Sequence, residues 1–396
     1  MEIFFWFGLF IIIYTYVGYG ILLFAIVRLK RWVGSGRRGG GNPQAVDTDA
    51  LPSCTVVVAA YNEEQDIEDK IHNTLALSYP EGKISYCFVT DGSTDATPDI
   101  VGKFPQITLL HEDVRNGKIA AVHRARMQVS TDVVVFTDAN TLLNTHALME
   151  ICKHYHKPKV GAVAGEKRVY AGVKADASAA GEGFYWKYES ALKRWDSELH
   201  TVVGSAGELF SIRCALYEPV PADTVLDDFM ISMRIAERGY RVVYEPGAYA
   251  TEMASENVGE ELKRKIRIAA GGIQSILRLT RAPNVFVNPL LAFQYLSHRV
   301  LRWTVTPLML VAVFVINACL HIGGAGPVYS LLFYGQVAFY ACAIVGMLLE
   351  RRALRVKLLF VPYYFCVMNY AALAGMVRYF GSGQSAVWER SSRKRS

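Results

Sequence analysis

The chain has 396 residues, 52% of them hydrophobic, and a formal net charge of +6 at pH 7. This length suits one large globular domain or two smaller ones, and the apolar content is high for a soluble protein. The positive charge lies mainly in basic clusters at predicted membrane edges and in the tail 390–395, so no nucleic-acid partner is expected. The seven cysteines contain no C-x-x-C pair, which argues against a zinc site or a disulfide framework.

The amino-terminal segment is predicted to be a membrane anchor. The apolar run from Ile3 to Val27 is long enough to cross a bilayer. Basic residues follow this run: Arg28, Lys30, Arg31, Arg37 and Arg38. A cleaved signal peptide carries its positive charge before the apolar core, so we expect an uncleaved anchor over residues 1–30 with the next domain in the cytoplasm. Residues 31–52, rich in Gly and polar residues, are expected to form a linker.

The domain predicted for residues 53–282 alternates strands with helices. Strand-like runs occur at Cys54–Ala60, Ile84–Thr90, Ile107–Leu110, Val133–Thr137 and Val160–Ala164. Between the first two, Ile67, Ile71 and Leu75 fall on one face of a predicted helix. Strands that alternate with helices predict an α/β fold with a mostly parallel, Rossmann-like sheet.

Asp138 is the most informative polar residue at a strand end. It closes the apolar run Val133–Thr137, whose β-branched residues predict a buried parallel strand. Open α/β sheets bind ligands at this edge, and a carboxylate there can hold a divalent cation against phosphate oxygens. By itself the residue would also fit a turn or a helix cap, since Asp favours both positions.

Other polar residues follow the same pattern. Tyr61 and Glu63 come directly after the first strand, and Asp91 ends the second, before Gly92, which allows a tight turn. Asn116-Gly117-Lys118 opens a helix, and both the helix dipole and the lysine favour phosphate. Three strand ends and one helix start with ligand-type residues are too many for independent turn chemistry, so a binding site is predicted at this edge.

These motifs together resemble the family 2 glycosyltransferases, the group that includes cellulose, chitin, hyaluronan and poly-N-acetylglucosamine synthases. The resemblance extends over Val56–Glu64, Thr90–Asp95, Asn116–Lys118, Phe136–Asn140, Gly204–Gly207 with Arg213, and Leu226–Phe229 with Arg234. The order and rough spacing of the six motifs match over most of the predicted soluble domain.

The resemblance implies a GT-A nucleotide-sugar fold and assigns roles on the donor side. Tyr61, Glu63, Asp91 and Lys118 would line the nucleotide pocket. Asp91 would read the uracil edge if the donor is a UDP-sugar. Asp138 would bind Mg²⁺ or Mn²⁺ on the diphosphate. Asn140 stands where many members have a second Asp, and its neutral oxygen is a weaker ligand for the metal.

On the acceptor side, the resemblance points to Asp228 as the general base. A carboxylate near the sugar can accept the proton of the attacking hydroxyl, and direct displacement would invert the anomeric centre. Asp227, where the family usually has Glu, is expected to contact the substrate and position its neighbour. The alternative is that both acids simply begin the helix Phe229–Arg238, since acids suit a helix amino terminus.

A basic segment further on resembles the Q/R-x-x-R-W block of processive members. In Lys263–Ile268, Arg264 and Arg267 provide guanidinium groups that suit a diphosphate. Ile268 replaces the tryptophan on which the acceptor usually stacks, which weakens the expectation of a long polymer product. The alternative is a basic helix surface that faces solvent or lipid headgroups.

The carboxyl-terminal part of the chain is predicted to return to the membrane. We expect an interfacial helix over residues 283–302, a transmembrane region over 303–380 and a basic tail over 381–396. Four full crossings would place this tail outside, although its charge favours the cytoplasm. Leu358–Phe380 is therefore the best candidate for a re-entrant or interfacial segment.

The sequence thus predicts an inner-membrane, multi-pass glycosyltransferase with a cytoplasmic catalytic domain. It would transfer sugar from a UDP-sugar to a growing extracellular or capsular polysaccharide, with the membrane lipid and unknown export subunits as further partners. A single transfer to a polyprenyl-phosphate or other lipid-linked acceptor is the second hypothesis. A third is a non-enzymatic transporter or nucleotide sensor, which the scarcity of ionisable residues in the spans and the retention of Asp138 and Asp228 argue against.

Overall fold

The structure is a computed structural model that describes residues 1–35, 48–170, 177–253, 258–352 and 356–381. Nearly all of the predicted basic tail and much of the predicted linker lie outside the described residues. The described part consists of an α/β domain and long apolar helices before and after it.

The α/β domain is built on one eight-stranded sheet. Its strands are β1 Cys54–Ala60, β2 Ile84–Asp91, β3 Thr108–Glu112, β4 Val133–Asp138, β5 Thr141–Leu143, β6 Val160–Tyr170, β7 Phe210–Arg213 and β8 Arg241–Met253. All five predicted strands are present. The sequence prediction did not include β5, β7 and β8.

The strand order is β3-β2-β1-β4-β7-β6-β8-β5. The half formed by β3, β2, β1 and β4 is parallel throughout, as expected. The other half is mixed, because β7 runs antiparallel to both β4 and β6, and β5 runs antiparallel to β8. The expectation of a mostly parallel sheet therefore holds only for the first half. An antiparallel strand needs no helical crossover, so the alternation of strands and helices could not reveal β7.

Strand β1 shows why this sheet forms. Every residue from Cys54 to Ala60 is buried, and alternate side chains enter two different hydrophobic cores. Val57 and Ala59 face one core, and Val56 and Val58 face the other. A strand covered on both faces needs a continuous apolar run, and this is what the sequence contains.

The helices connect the strands and frame the sheet. In chain order they are α1 Glu2–Ile13, α2 Tyr19–Ser35, α3 Ile67–Leu75, α4 Thr97–Val101, α5 Lys118–Gln128, α6 Ala147–Cys152, α7 Ala177–Leu199, α8 Asp227–Glu237, α9 Val258–Arg278, α10 Pro289–Tyr295, α11 Thr306–Ile322, α12 Pro327–Arg351 and α13 Lys357–Gly381. The π-helical turns Tyr14–Gly18 and Leu296–Val305 join α1 to α2 and α10 to α11.

Four helical segments of the described chain are long and apolar enough to cross a membrane: Glu2–Gly34, Pro289–Ile322, Pro327–Glu350 and Leu358–Gly381. The predicted interfacial segment 283–302 and the first predicted span after it thus share one helix, which continues from Pro289 to Ile322 without a break. Helix α13 packs along α9, with Gly375 directly against Ala269.

The first and second of these segments dock on α7 through a buried polar cluster. Asp196 of α7, which is fully buried, accepts hydrogen bonds from Tyr19 Oη (2.5 Å), Gln294 Nε2 (2.8 Å) and His298 Nδ1 (2.6 Å). Glu189, about two turns before Asp196 in α7, contacts Arg302 Nη1 at 2.8 Å. The α/β domain is therefore held against two apolar helices by directed hydrogen bonds.

Candidate active site

The carboxyl ends of three parallel strands bring the predicted donor-side residues together. Tyr61 follows β1, Asp91 ends β2 and Asp138 ends β4, and these strands are adjacent in the sheet. Lys118 is the first residue of α5, after Gly117, whose positive φ of 96° suits glycine. Four of the predicted site residues therefore lie at one edge of the sheet.

A shallow recess opens at this edge. It is lined by Ala59, Ala60, Tyr61, Asp91, Arg115, Gly117, Lys118 and Ala121. Asp91 Oδ2 accepts hydrogen bonds from the backbone N–H groups of Asn116 (2.9 Å) and Gly117 (2.6 Å). Within the described residues Asp91 Oδ1 is buried and accepts no hydrogen bond, and its nearest cationic group is Arg124 Nη1 at 3.6 Å. A buried acceptor without a donor is costly, so this oxygen is suited to a donor group on a ligand.

Tyr61 and Glu63 differ in their relation to the recess. The guanidinium of Arg115 lies 3.8 Å from the centroid of the Tyr61 ring, so both side chains form one wall. Glu63 is buried at the approach to α3, and its backbone N–H donates to Thr97 Oγ1 at 2.8 Å. It is not among the lining residues.

Lys118 connects the recess to the predicted metal and base residues. Its Nζ donates a 2.9 Å hydrogen bond to Asp138 Oδ1 and lies 4.0 Å from Asp227 Oδ2. Burial alone would lower the pKa of Lys118, but the carboxylates of Asp138, Asp227 and Asp228 raise it above its usual value. Lys118 is therefore a permanent cation at the centre of an acidic cluster.

Gly207 marks the space where these groups converge. A Cβ atom at this position would lie 3.4 Å from Lys118 Nζ, 3.6 Å from Asp228 Oδ2 and 3.7 Å from Asp138 Oδ2. The cation, the predicted metal ligand and the predicted base thus surround one small volume. Glycine leaves that volume open, because it has no side chain.

Asp228 has unusual electrostatic surroundings for a carboxylate. Burial and, next, the neighbouring Asp227 raise the pKa of Asp228, Lys118 partly offsets them, and the resulting pKa is about 7. Both acids lie in the first turn of α8. A carboxyl with a pKa near 7 is suited to accept a proton at neutral pH.

The residues at the end of β4 fit a divalent cation. Asp138 Oδ1 is bonded to Lys118, whereas Oδ2 faces the space beside Gly207. Within the described residues, Asn140 Oδ1 is buried and has no hydrogen-bond partner. No group of three or more His, Cys, Asp or Glu residues in the described part could hold a metal by itself. Mg²⁺ and Mn²⁺ sites built on one or two protein oxygens complete their shells with phosphate and water oxygens.

The two arginines predicted to bind diphosphate lie on α9. Arg264 is largely buried and belongs to a network with Lys167, Glu208 and Glu252. Its Nη2 lies 3.2 Å from Glu208 Oε1, which also contacts Lys167 Nζ. Burial would raise the pKa of Glu208, but Lys167 and Arg264 hold it well below its usual range. Arg267 is half-buried one turn further along the helix. Arg264 thus already has carboxylate partners in this structure.

Two residues near the site were missed by the sequence prediction. Arg115, which lines the recess, was not among the predicted site residues, although it lies just before the helix that Lys118 opens. Lys70 lies in α3 and is fully buried below Asp138. Burial lowers the pKa of Lys70, the Asp138 carboxylate partly offsets this, and the resulting pKa is about 7. Lys70 lies about one turn from Ile67, on the apolar face of the helix, and this spacing could have predicted its burial.

Comparison with known proteins agrees with this fold. Residues 55–218 match the family described as Glycosyl transferase family 2. These residues contain β1 to β7, and the recess and the β4 carboxylate lie within them. This match agrees with the family resemblance that the motifs predicted, and the sheet is that of a GT-A fold.

Curated relatives include poly-β-1,6-N-acetyl-D-glucosamine synthases. The protein of Staphylococcus aureus strain COL is 30% identical over 244 residues, which are 59% of this chain and 58% of the relative. The protein of Staphylococcus epidermidis is 27% identical over 232 residues, 56% of this chain and 55% of the relative. The chain thus matches somewhat more than half the length of each relative.

A solved structure extends the similarity of fold into the apolar helices. The mannosyltransferase PcManGT from Pyrobaculum calidifontis, solved in complex with GDP-mannose and Mn²⁺, aligns with a TM-score of 0.68 and 23% sequence identity. The alignment covers 92% of this chain and 99% of that chain. The two proteins therefore share a fold both inside and outside the family 2 domain.

Proposed function

We propose that this protein is a membrane glycosyltransferase that adds sugars from a UDP-sugar to a growing extracellular polysaccharide, with inversion at the anomeric carbon. The names of the staphylococcal relatives support N-acetylglucosamine as the sugar to test first. The catalytic domain would face the cytoplasm, and the basic residues after the first apolar helix support this orientation.

The convergence of three groups around Gly207 carries this proposal. A transferase needs a cation for the leaving diphosphate, a ligand for the metal and a base for the attacking hydroxyl. Lys118 Nζ, Asp138 Oδ2 and Asp228 Oδ2 lie 3.4 Å, 3.7 Å and 3.6 Å from one point. A sugar phosphate at this point would be within reach of all three.

The nucleotide would occupy the recess beside this point. Asp91 Oδ1 would accept a hydrogen bond from the base, and Tyr61 with Arg115 would form the wall against which the base packs. Uracil can supply its N3–H to such an acceptor. Glu63 lies outside the lining of the recess, so its contact with the nucleotide stays a prediction.

The chemical step would be a direct displacement. The acceptor hydroxyl oxygen forms a bond to the anomeric carbon while the bond from that carbon to the diphosphate oxygen breaks. Asp228 takes the hydroxyl proton, and the nucleoside diphosphate leaves with the electron pair. Asp227, beside the base and 4.0 Å from Lys118, would keep that lysine directed towards the diphosphate. Since one displacement occurs, the configuration inverts.

A divalent cation, Mg²⁺ or Mn²⁺, held by Asp138 and Asn140 would offset the negative charge of the leaving diphosphate. Asn140 would contribute its orphaned Oδ1. Arg264 and Arg267 would act on the same diphosphate from α9, and for this Arg264 would have to leave a carboxylate partner such as Glu208.

A second function is favoured by one residue. Ile268 stands where processive members of the resembled family have the tryptophan on which the acceptor stacks. Isoleucine has no ring and cannot stack on a sugar in this way. A single transfer to a polyprenyl-phosphate or other lipid-linked acceptor would not need such a platform. Both functions use the same donor-side residues, so only the size of the product separates them.

The experiment that tests the proposal is a donor panel. The detergent-purified protein is incubated with Mg²⁺ or Mn²⁺ and with UDP-N-acetylglucosamine, UDP-glucose, UDP-galactose or GDP-mannose, and both nucleotide release and product size are measured. Release of UDP with a ladder of products supports the polysaccharide function. Release with a single-sugar lipid adduct supports the second function. Release from GDP-mannose alone contradicts the UDP-sugar assignment. Absence of both turnover and nucleotide binding would contradict the enzyme assignment.

A further inference from the structure

Lys70 is a fully buried lysine that none of the proposed chemical steps uses. It lies on the buried face of α3, together with Ile67, Ile71 and Thr74. Among the described residues Lys70 makes no ion pair, and its ammonium is surrounded by neutral oxygens. A buried ammonium without a carboxylate partner is unfavourable, so its retention calls for a role.

The hydrogen bonds of Lys70 all end on the segment that contains the predicted metal ligand. Its Nζ donates to Thr137 Oγ1 at 2.9 Å, to the Thr141 carbonyl oxygen at 2.7 Å and, more weakly, to Thr141 Oγ1 at 3.4 Å. Thr137 immediately precedes Asp138 and Thr141 immediately follows Asn140. The ammonium thus fixes both ends of the turn that carries the two proposed metal ligands.

A second set of bonds extends from this turn to the acceptor side. Thr141 Oγ1 donates to the Asp138 carbonyl oxygen at 2.9 Å, which closes the turn on itself. Thr137 Oγ1 accepts from Lys70 and donates to the Glu208 carbonyl oxygen at 2.9 Å. Glu208 follows Gly207, beside which Asp138 Oδ2 and Asp228 Oδ2 converge. One hydroxyl therefore joins the metal turn to the glycine loop, and Lys70 orients that hydroxyl.

We propose that Lys70 is a positioning residue that fixes the metal-binding turn Asp138–Asn140 relative to the Gly207 loop, and so sets the spacing between the proposed metal site and the base. The inference rests on the proposed function, since it concerns the same site. Lys70 contacts neither substrate nor metal in this scheme. It acts through Thr137 and Thr141.

The test replaces Lys70 with methionine, which has a similar length and no polar atom. Thr74→Val is the matched control: Thr74 is equally buried one turn further along α3, but its hydroxyl donates only to the carbonyl oxygen of Lys70 in the same helix. Three quantities are measured for both variants: the thermal midpoint in detergent, the affinity for Mn²⁺ in the presence of UDP by electron paramagnetic resonance, and kcat with the active donor.

We expect Lys70→Met to keep or raise the thermal midpoint, because replacing a buried charge by an apolar group of similar volume is often neutral or stabilising. Mn²⁺ affinity and kcat should both fall by about tenfold to a hundredfold, the usual effect of losing a residue that orients metal ligands. Thr74→Val should leave Mn²⁺ affinity and kcat within about twofold of the wild type, since its hydroxyl bonds only within α3.

Thr137→Val provides a second variant that keeps the lysine and removes the shared hydroxyl. If Lys70 acts through Thr137, the double variant should be no worse than the poorer single variant, because residues in one network are not additive. If Lys70→Met does not fold, Thr137→Val alone tests the link, and Mn²⁺ affinity within about twofold of the wild type in that variant would overturn the inference.

The inference is overturned if Lys70→Met binds Mn²⁺ and turns over within about twofold of the wild type, or if Thr74→Val causes the same losses. The Mn²⁺ measurement needs no turnover, so it still tests Lys70 if no donor in the panel is active. Conversely, an active wild type with an unaffected Lys70→Met would overturn this inference alone and leave the proposed function intact.

Discussion

Single residues at this site owe their properties to burial among a few charged neighbours. Lys118 and Asp228 lie beside the same open space, yet the pKa of each is raised for a different reason. The carboxylates around Lys118 outweigh its desolvation, whereas burial and Asp227 dominate at Asp228. The result is a fixed cation next to an acid that exchanges its proton near neutral pH.

Replacement of Asp228 by asparagine should abolish transfer and preserve binding. Loss of a general base costs about 10²- to 10⁴-fold in kcat, while the recess around Asp91 is unchanged. The thermal midpoint at neutral pH should not fall, because the amide carries no charge to desolvate. Turnover and UDP binding are measured side by side, with Asp223→Asn, an exposed acid paired with Arg278, as the control. Turnover of Asp228→Asn within about tenfold of the wild type would assign the base elsewhere.

The pH dependence of kcat/KM follows from the same residue. The pKa of Asp228 is raised to about 7, so the carboxylate that accepts the proton is lost as pH falls through that value. We expect kcat/KM to fall about tenfold per pH unit below the pKa and to level off above it. The native protein also retains a proton that the unfolded chain has lost, so this group lowers stability as pH rises towards 7. A profile that is flat from about pH 5.5 to about pH 8 would contradict the assignment.

At the scale of elements, the loop before β7 positions the two sides of the site relative to each other. Gly204 has a φ of 97° and lies against the Phe229 ring, which would clash with any side chain there. Gly207 then passes the site with its Cα facing the acidic cluster. This loop therefore fixes the start of α8, and with it Asp228, relative to the end of β4.

Gly207→Ala should impair the reaction without unfolding the protein. The added methyl would lie 3.4 to 3.7 Å from Lys118 Nζ, Asp228 Oδ2 and Asp138 Oδ2, distances of ordinary contact. It would occupy the space proposed for the sugar phosphate, so kcat/KM should fall by about tenfold or more, as displacement by 1 Å can cost 10²-fold. Thermal midpoint and kcat/KM are compared with Gly335→Ala, a helix position with open space around it. An unaffected kcat/KM would mean that substrate does not use this space.

At the scale of the whole molecule, two of the apolar helices are extensions of the α/β domain. The 33-residue helix Glu2–Gly34 is longer than a bilayer core requires, and its second half packs on α7 through Tyr19, Leu23 and Val27. The helix from Pro289 likewise enters the hydrophobic core of the domain with Leu291 and Tyr295 before it becomes a span. Arg299 of the same helix donates to the carbonyl oxygen of Val203, next to the glycine loop.

Asp196→Ala should weaken this docking. The change leaves Tyr19, Gln294 and His298 without the buried carboxylate that accepts their hydrogen bonds. Removing one partner of a buried charged interaction costs about 3–5 kcal/mol of stability. We expect the thermal midpoint in detergent to fall by several degrees. Arg31→Gln, at the exposed pair with Glu198, is the control and should change stability by less than about 1 kcal/mol. Equal midpoints for both variants would show that the buried cluster does not hold the helices to α7.

The sequence by itself determined the parallel half of the sheet and the family of the domain. Continuous apolar runs rich in β-branched residues suit strands covered on both faces, so β1 and β4 could be located from the sequence. Polar residues at their ends lie at one edge because neighbouring parallel strands end together. For the same reason Tyr61, Asp91, Lys118 and Asp138 could be predicted to share a site.

Only the tertiary structure decided how distant segments meet. The mixed half of the sheet depends on short strands with no crossover signal, and β7 has only four residues. The convergence of Asp138 and Asp228 depends on a loop that passes between them, and hydrogen bonds across such sequence distances leave no local pattern. Lys70 shows this most clearly: helical spacing placed it on a buried face, but its partners Thr137 and Thr141 come from another element, and only folding brings the oxygens that satisfy its charge.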